Sequence, residues 1–290
     1  MTTTELPPPV RGPLPGRSAA LSPSRASDFM QCPLLYRFRV VDRLPSLPSP
    51  AAARGTLVHA VLERLFDLPA HERTPEAATR LVEPQWAALV EQEPALATML
   101  EDDEQRTQTS WFAEATALVQ TWFTLEDPQR LEPRDRELYV EVPVDGLILR
   151  GIIDRLDVAP DGAIRVVDYK TGRSPGEQFE RKALFQMRFY ALVLWRLHGV
   201  IPAVLQLVYL GDQAILRYSP DEHDLRATER TVHAVWDAIR AADETGDWRP
   251  SRSRACSWCD YKALCPEWGG TPPPLPERDG LGSGDPVAQP

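Results

Sequence analysis

The sequence predicts an α/β fold built on a mixed sheet. Three observations carry this: β-rich runs crowd residues 137–169, helix-period segments flank them, and two more strand-like runs precede a long amphipathic helix. Taken in order, residues 1–20 are rich in Pro with little periodic apolar content and read as a disordered tail, as do residues 268–290. Between them one domain is expected, over residues 21–267. Residues 24–39 carry an apolar pattern with Ser and Asp near its start, a short helix bearing Cys32. A linker with Pro45, Pro48 and Pro50 ends it, and Gly55 opens a helix to about residue 67. A helical insertion follows over about residues 68–130, with Trp86, Trp111 and Trp122 available for core packing. The runs 137–144, 147–158 and 163–169 are separated by Asp145-Gly146 and Pro160-Asp161-Gly162, strong turn signals that predict an antiparallel meander. Residues 178–197 read as helix, 203–210 and 214–218 as strands, and 221–242 as a long helix.

Bulk properties narrow the function classes. The chain has 290 residues with 43% apolar, enough for one sizeable core. No apolar run reaches the length of a membrane span and no apolar signal region opens the chain, so a cytoplasmic, thiol-reducing setting is expected. That weakens the reading of two disulfides among four cysteines and favours metal binding. The formal charge of −10 argues against wide nonspecific wrapping of DNA. Local contacts remain open to Arg37, Arg39 and Arg43, or to Arg249, Arg252, Arg254 and Lys262, which read equally well as a solvated face. No Gly-x-x-x-x-Gly-Lys-Ser/Thr is present, so no ATP motor is expected within the chain. Lys170-Thr-Gly lacks the Ser-x-x-Lys that a serine β-lactamase requires.

An acidic constellation is the strongest local signal. Side chains alternate along a strand, so Asp168 and Lys170 project together while Tyr169 points away. A hairpin centred on Asp161 pairs Asp154 with Asp168. Directly opposed like charges, with Cβ atoms about 5 Å apart, destabilise a sheet. A divalent cation would remove that repulsion, and so would a salt bridge from Arg155 or Lys170; the pattern leaves both open. Asp154 lies in the apolar run Gly-Ile-Ile-Asp-Arg-Leu, where an unpaired carboxylate is costly to bury. His59 and Glu63 lie four apart on one helix face, as do Gln186 and Tyr190. His59 offers an imidazole to a metal, with a capping or surface histidine as the plain alternative.

In this order, Gly-x-x-x-His at 55–59, Gly-Ile-Ile-Asp at 151–154, Asp-Tyr-Lys-Thr-Gly at 168–172 and Gln-x-x-x-Tyr at 186–190 resemble the RecB-type nucleases of the PD-(D/E)XK superfamily. The match covers about residues 24–266. It implies a restriction-endonuclease-like mixed sheet flanked by helices, and hydrolysis of DNA phosphodiester bonds. Residue by residue, it implies that His59, Asp154 and Asp168 bind Mg²⁺ or Mn²⁺ with help from the Tyr169 carbonyl. Lys170 would orient or activate the attacking water, and Gln186 and Tyr190 would support the site and the DNA strand. Glu63 and Glu141 are additional candidate carboxylates for the site. Asp168 stands where many members carry Glu, which the D/E alternative permits. Hard carboxylate oxygens suit Mg²⁺ or Mn²⁺, and an imidazole shifts preference toward Mn²⁺. The resemblance also implies action on single-stranded DNA ends in repair or recombination, with a separate helicase as a candidate partner.

Cys256-x-x-Cys259 followed by Cys265-Pro266 has the spacing by which one loop wraps a metal or cluster, and Cys32 is the remaining thiol. Some RecB-type nucleases, among them the CRISPR-adaptation nucleases and the AddB subunit, carry one cysteine before the nuclease motifs and three after. The resemblance therefore implies a [4Fe–4S] cluster on Cys32, Cys256, Cys259 and Cys265, with Cys₄ zinc as the alternative. Joining the two ends of the domain is its expected role. A noncatalytic DNA-binding or scaffold subunit is the rival reading, and the intact His59, Asp154, Asp168 and Lys170 argue against it.

Overall fold

A computed structural model describes residues 19–46, 49–99, 107–174 and 176–276, apart from the side chains of 177–182. Local cap chemistry sets where the helices begin. Ser22 caps α1 (Pro23–Gln31) by accepting from the Arg25 amide, and Pro33 opens the short α2 (Pro33–Tyr36). Ser49 caps α3 (Pro50–Leu65), so Pro50, expected in a linker, is instead the first residue of the helix. The mechanism is that a proline at N1 lacks only an N–H that would have no partner there. The helical insertion is two long helices, α4 (Pro75–Gln92) and α5 (Gln108–Leu125), the second opened by a Thr107–Ser110 capping box. After the strands come α6 (Glu177–His198) and α7 (Glu222–Thr245), each ended by a left-handed glycine, Gly199 and Gly246.

Among the described residues six strands form one mixed sheet. β3 (Leu147–Val158) is its longest member and pairs antiparallel along β2 (Asp135–Val144). It pairs in parallel with the two-residue β1 (Ala20–Leu21) at Ile148 and Leu149, and antiparallel with β4 (Ile164–Lys170) from Arg155 to Val158. β4 then pairs in parallel with β5 (Val204–Tyr209), and β5 antiparallel with β6 (Ala214–Tyr218). The meander is the one expected from the turn signals, and the helix-crossed parallel pair β4–β5 is what makes the sheet mixed. β1 was not expected, since two residues are too few to show a period.

The sheet divides two cores. On one face α1, α2, α6 and α7 pack over Val166, Leu205 and Leu207; on the other α3, α4 and α5 pack over Val167, Tyr169 and Val208. The alternation of β4 places Val166, Asp168 and Lys170 toward the first face and Tyr169 toward the second. Trp111 and Trp122 are fully buried in the second core and Trp86 nearly so. The tails expected at 1–20 and 268–290 lie outside the described residues over 1–18 and 277–290. Ala20 belongs to the sheet, and the Arg37 guanidinium donates to the Pro273 carbonyl. Among the described residues no helix is long and apolar enough to cross a membrane.

Candidate active site

The site begins where β3 and β4 part. Their ladder ends at Arg155–Val167, one residue short of Asp154 and Asp168. The register is centred on Asp161, so these two aspartates are the next opposed pair. Instead of laddering to β3, the Tyr169 amide donates to Asp154 Oδ2 at 2.8 Å. A carboxylate has thus replaced a backbone acceptor, and the strands fork around two acidic side chains.

His59 reaches the fork from α3. Its Nε2 lies 3.0 Å from the Tyr169 carbonyl and its Nδ1 3.5 Å from Asp154 Oδ2. Facing it on β2 is Glu137, opposite Asp154 in the β2–β3 register and absent from the ladder because its φ is +44°. Pairing on either side keeps one register, so no residue is inserted; the strand kinks at this residue alone. A left-handed non-glycine inside a strand costs about 1–3 kcal/mol and points to a local demand on the side chain. Arg136, next along, anchors β2 to α3 through the Glu63 carbonyl and Asp67, at 2.5 and 2.9 Å. Burial pushes the Glu137 carboxyl up to about 8, with Asp154, Glu63 and Asp168 adding repulsion. Burial likewise raises the Asp154 carboxyl, with His59 pulling it down and Asp168 pushing it up.

His59, Glu137 and Asp154 each offer a ligand atom within 4.8 Å of the others. One imidazole nitrogen and two hard oxygens, in a place where protons are held against burial and mutual repulsion, fit Mg²⁺ or Mn²⁺. Glu137 was not among the expected ligands. Of the expected ones, His59, Asp154 and the Tyr169 carbonyl converge here, while Asp168 stands beside the set in other contacts. Glu63 lines the same cleft one turn beyond His59. Glu141 lies away from this set, buried and accepting from the Tyr139 hydroxyl.

Asp168 is 2% exposed and held by two groups. Lys170 Nζ lies 2.6 Å from its Oδ2, and Gln186 Nε2 donates to its Oδ1 at 2.9 Å. The same Gln186 amide accepts from Lys170 Nζ at 3.0 Å through Oε1 and lies 3.2 Å from the Tyr190 hydroxyl through Nε2. Lysine has only donors and a carboxylate only acceptors, so this amide can face only one way. Tyr190 reaches the group because residue 151 is glycine; a Cβ there would lie 2.6 Å from the Tyr190 ring. Burial lowers the Lys170 pKa, but Asp168, its hydrogen bond and Asp154 outweigh it and leave it raised. Lys170 is therefore an ammonium at neutral pH and acts as a positioned cation.

Under the fork lies a buried ion pair. Arg155, fully buried, grips Glu126 with two hydrogen bonds of 2.8 and 2.7 Å, donates to Asp157 and to the Tyr169 hydroxyl, and lies over the Tyr169 ring. Glu126 is the C-cap residue of α5 and also accepts from Trp122 Nε1 and Gln206 Nε2, both at 2.9 Å. Tyr169 is thus fixed by its ring on one face while its amide and carbonyl serve Asp154 and His59.

The four cysteines line one pocket at the opposite end of α1 from its Ser22 cap, with Leu34, Phe38, Tyr261 and Trp268. The Ser251 amide points at Cys32 Sγ and the Ser253 amide at Cys256 Sγ, each at 3.4 Å. Burial pushes the Cys265 thiol up, with the charges of Cys32, Cys259 and Cys256 adding to it. Among the described residues no three of the sulfurs lie within 4.8 Å of one another. Four thiols converging on one pocket are a donor set that either a Cys₄ zinc ion or an iron–sulfur cluster would take.

A family model described as the PD-(D/E)XK nuclease superfamily matches residues 20–266. The chain belongs to that superfamily. The nuclease is 26% identical over 272 residues to the Gene 69 protein of Mycobacterium phage D29, spanning 84% of this chain and 96% of the phage protein. The Gene 69 protein of Mycobacterium phage L5 is 25% identical over 283 residues, spanning 84% and 95%. The crystal structure of a Eubacterium rectale protein, provisionally described as an exonuclease, matches with a TM-score of 0.50 at 13% identity, over 83% of this chain and 86% of that one. That likeness is one of fold: a mixed sheet flanked by helices, as the superfamily requires.

Proposed function

We propose that the nuclease is a Mg²⁺- or Mn²⁺-dependent exonuclease of the RecB type acting on single-stranded DNA ends, with a [4Fe–4S] cluster on Cys32, Cys256, Cys259 and Cys265. One observation carries the catalytic reading: the fork between β3 and β4 sets a His59–Glu137–Asp154 donor set beside the Asp168–Lys170–Gln186 triad, and His59, Glu137 and Lys170 line one cleft. The bound cation supplies positive charge at the scissile phosphate and acidifies water. The chain's own groups do the rest. Asp154 and Asp168 concentrate negative charge where the cation must sit, and the Tyr169 backbone fixes His59 and Asp154 relative to each other. Lys170, held as an ammonium by Asp168 and Gln186, aims its charge at the developing charge on phosphate or at the attacking water. Zinc on the four cysteines is the second reading for that centre, since thiolates satisfy both. Repair or recombination in the cytoplasm, with a separate helicase opening the duplex, is the setting that fits a nuclease whose sequence holds no motor motif.

The test is cleavage of end-labelled and end-blocked single strands with each metal. Wild type should shorten open ends, and Lys170→Ala, which keeps the carboxylates, should bind metal and DNA to within about tenfold yet cleave about 10²–10³ times more slowly. Full activity in the variant would remove Lys170 from the chemistry. No cleavage by wild type of any DNA form would remove the nuclease reading.

A further inference from the structure

Above the fork lies a cleft of about 830 Å³ between α3 and α4 on one side and the loop after β4 on the other. That is the scale of a pocket enclosing one drug-sized ligand, about 300–1,000 Å³. On that scale it gives room for roughly a nucleotide or two of one strand. Besides the groups of the fork, the cleft presents two guanidinium groups from opposite walls: Arg64 from α3 and Arg173 from the loop. Gln85 and Gln92 of α4 add amides without charge.

The two arginines are placed differently but both within the cleft. Arg64 is half-exposed, and its contacts with Glu63 and Asp67, at 3.7 and 3.5 Å, are long enough to be exchanged for a phosphate. Arg173 is exposed on a loop that is pinned at both of its neighbours. The Ser174 amide donates to both carboxylate oxygens of Asp212 at 3.0 Å, and the Gly211 amide donates to the Gly172 carbonyl at 3.0 Å. A Cβ at Gly211 would lie 2.7 Å from the Gly172 carbonyl group, so the two turns touch backbone to backbone. The loop therefore presents Arg173 three residues from Lys170 without freedom to drift. In a chain of formal charge −10, with an acidic fork on the cleft floor, cations at the walls are where a polyanion gains its hold.

We propose that Arg64 and Arg173 clamp the phosphates flanking the one held at Lys170, making the cleft a groove for one strand of DNA; this rests on the nuclease reading above. The experiment is equilibrium binding of a fluorescent single-stranded oligonucleotide to the full chain, with Ca²⁺ replacing Mn²⁺ so that the strand is held, across a salt series. Each phosphate contact to a single strand contributes about 0.7 to the slope of log K against log[salt]. Arg64→Ala and Arg173→Ala should each lower the slope by about that amount and weaken binding about fivefold at 0.1 M salt, with the double variant losing both. Arg240→Ala, which removes an equal charge from α7, should change neither. Melting temperatures should hold in all four variants. Cleavage at saturating strand should persist while the strand concentration needed rises. Unchanged slopes in a protein that still cleaves single strands would overturn the clamp and leave the nuclease reading standing. Equal slope losses on blunt duplex would overturn the assignment to one strand. A wild type that cuts no DNA would overturn both.

Discussion

Glu137 shows how one residue can escape the sequence and still define the site. Alternation made Asp168 and Lys170 legible as neighbours, and helical spacing did the same for Gln186 and Tyr190; both pairs meet as their periods require. Glu137 obeys no period, because its φ of +44° turns it out of the β2 ladder, and neighbouring residues give no sign of that kink. Its folded carboxyl is raised from 4.5 to about 8 by burial first. Between those values the folded chain holds a proton that the unfolded chain has lost, so stability from this group is present at low pH and fades as pH rises through about 8. The metal-free protein should therefore melt progressively lower from pH 5 to pH 8. Mn²⁺ must displace that proton, so its affinity should rise across the same window. Glu137→Gln should flatten the metal-free trend and weaken Mn²⁺ binding by at least about tenfold, since groups one shell farther out commonly cost that much. Calorimetric titration at several pH values checks both, and a variant with the wild-type trend and affinity would exclude Glu137 from the site.

At the scale of elements, what was hidden is long-range. Hydrophobic period and turn residues were enough for the meander, for α6 and for α7, but neither says that the C-cap residue of α5 will pair with an arginine beneath the fork. Glu126 and Arg155 belong to segments read separately, one as insertion and one as strand, and only the fold brings them to 2.7 Å. Their pairing makes α5 a support for Tyr169, and through its backbone for His59 and Asp154. Glu126→Ala leaves the buried Arg155 guanidinium with Asp157 as its remaining carboxylate, and should cost less than the about 3–5 kcal/mol of a fully unpaired buried charge. It should also weaken Mn²⁺ binding, although Glu126 touches no ligand. Replacing both partners, Glu126→Leu with Arg155→Met, should restore most of the stability, because a well-packed apolar pair is often as stable as a buried ion pair. The decisive measurement is Mn²⁺ affinity in that double variant: continued weakness makes the pair a positioning device, and full recovery makes it scaffolding alone.

At the scale of the whole molecule, the two ends of the described chain meet around sulfur. Cys32 follows α1, whose other end lies beside the fork, since Pro23 is 3.6 Å from where a Gly151 Cβ would stand. The other three cysteines follow α7 in or beside short 3₁₀ turns with little apolar content of their own, and Tyr261 packs at a tilt against Phe38, ring centroids 5.4 Å apart, to close the seam. These turns lack the buried side chains that hold the helices, so what fixes them is the seam and the proposed centre. Cys32 is the one thiolate supplied from the other end of the chain. Cross-links that close long loops remove the most unfolded-state entropy, so losing this ligand should be felt by the entire domain. Protein purified without oxygen should be brown and carry iron and sulfide. Cys32→Ser should lose that iron, melt at a markedly lower temperature, and become sensitive to protease first in residues 249–268. Iron content and melting temperature unchanged in Cys32→Ser would break the tether. Stoichiometric zinc in colourless wild type would replace the cluster with a single ion.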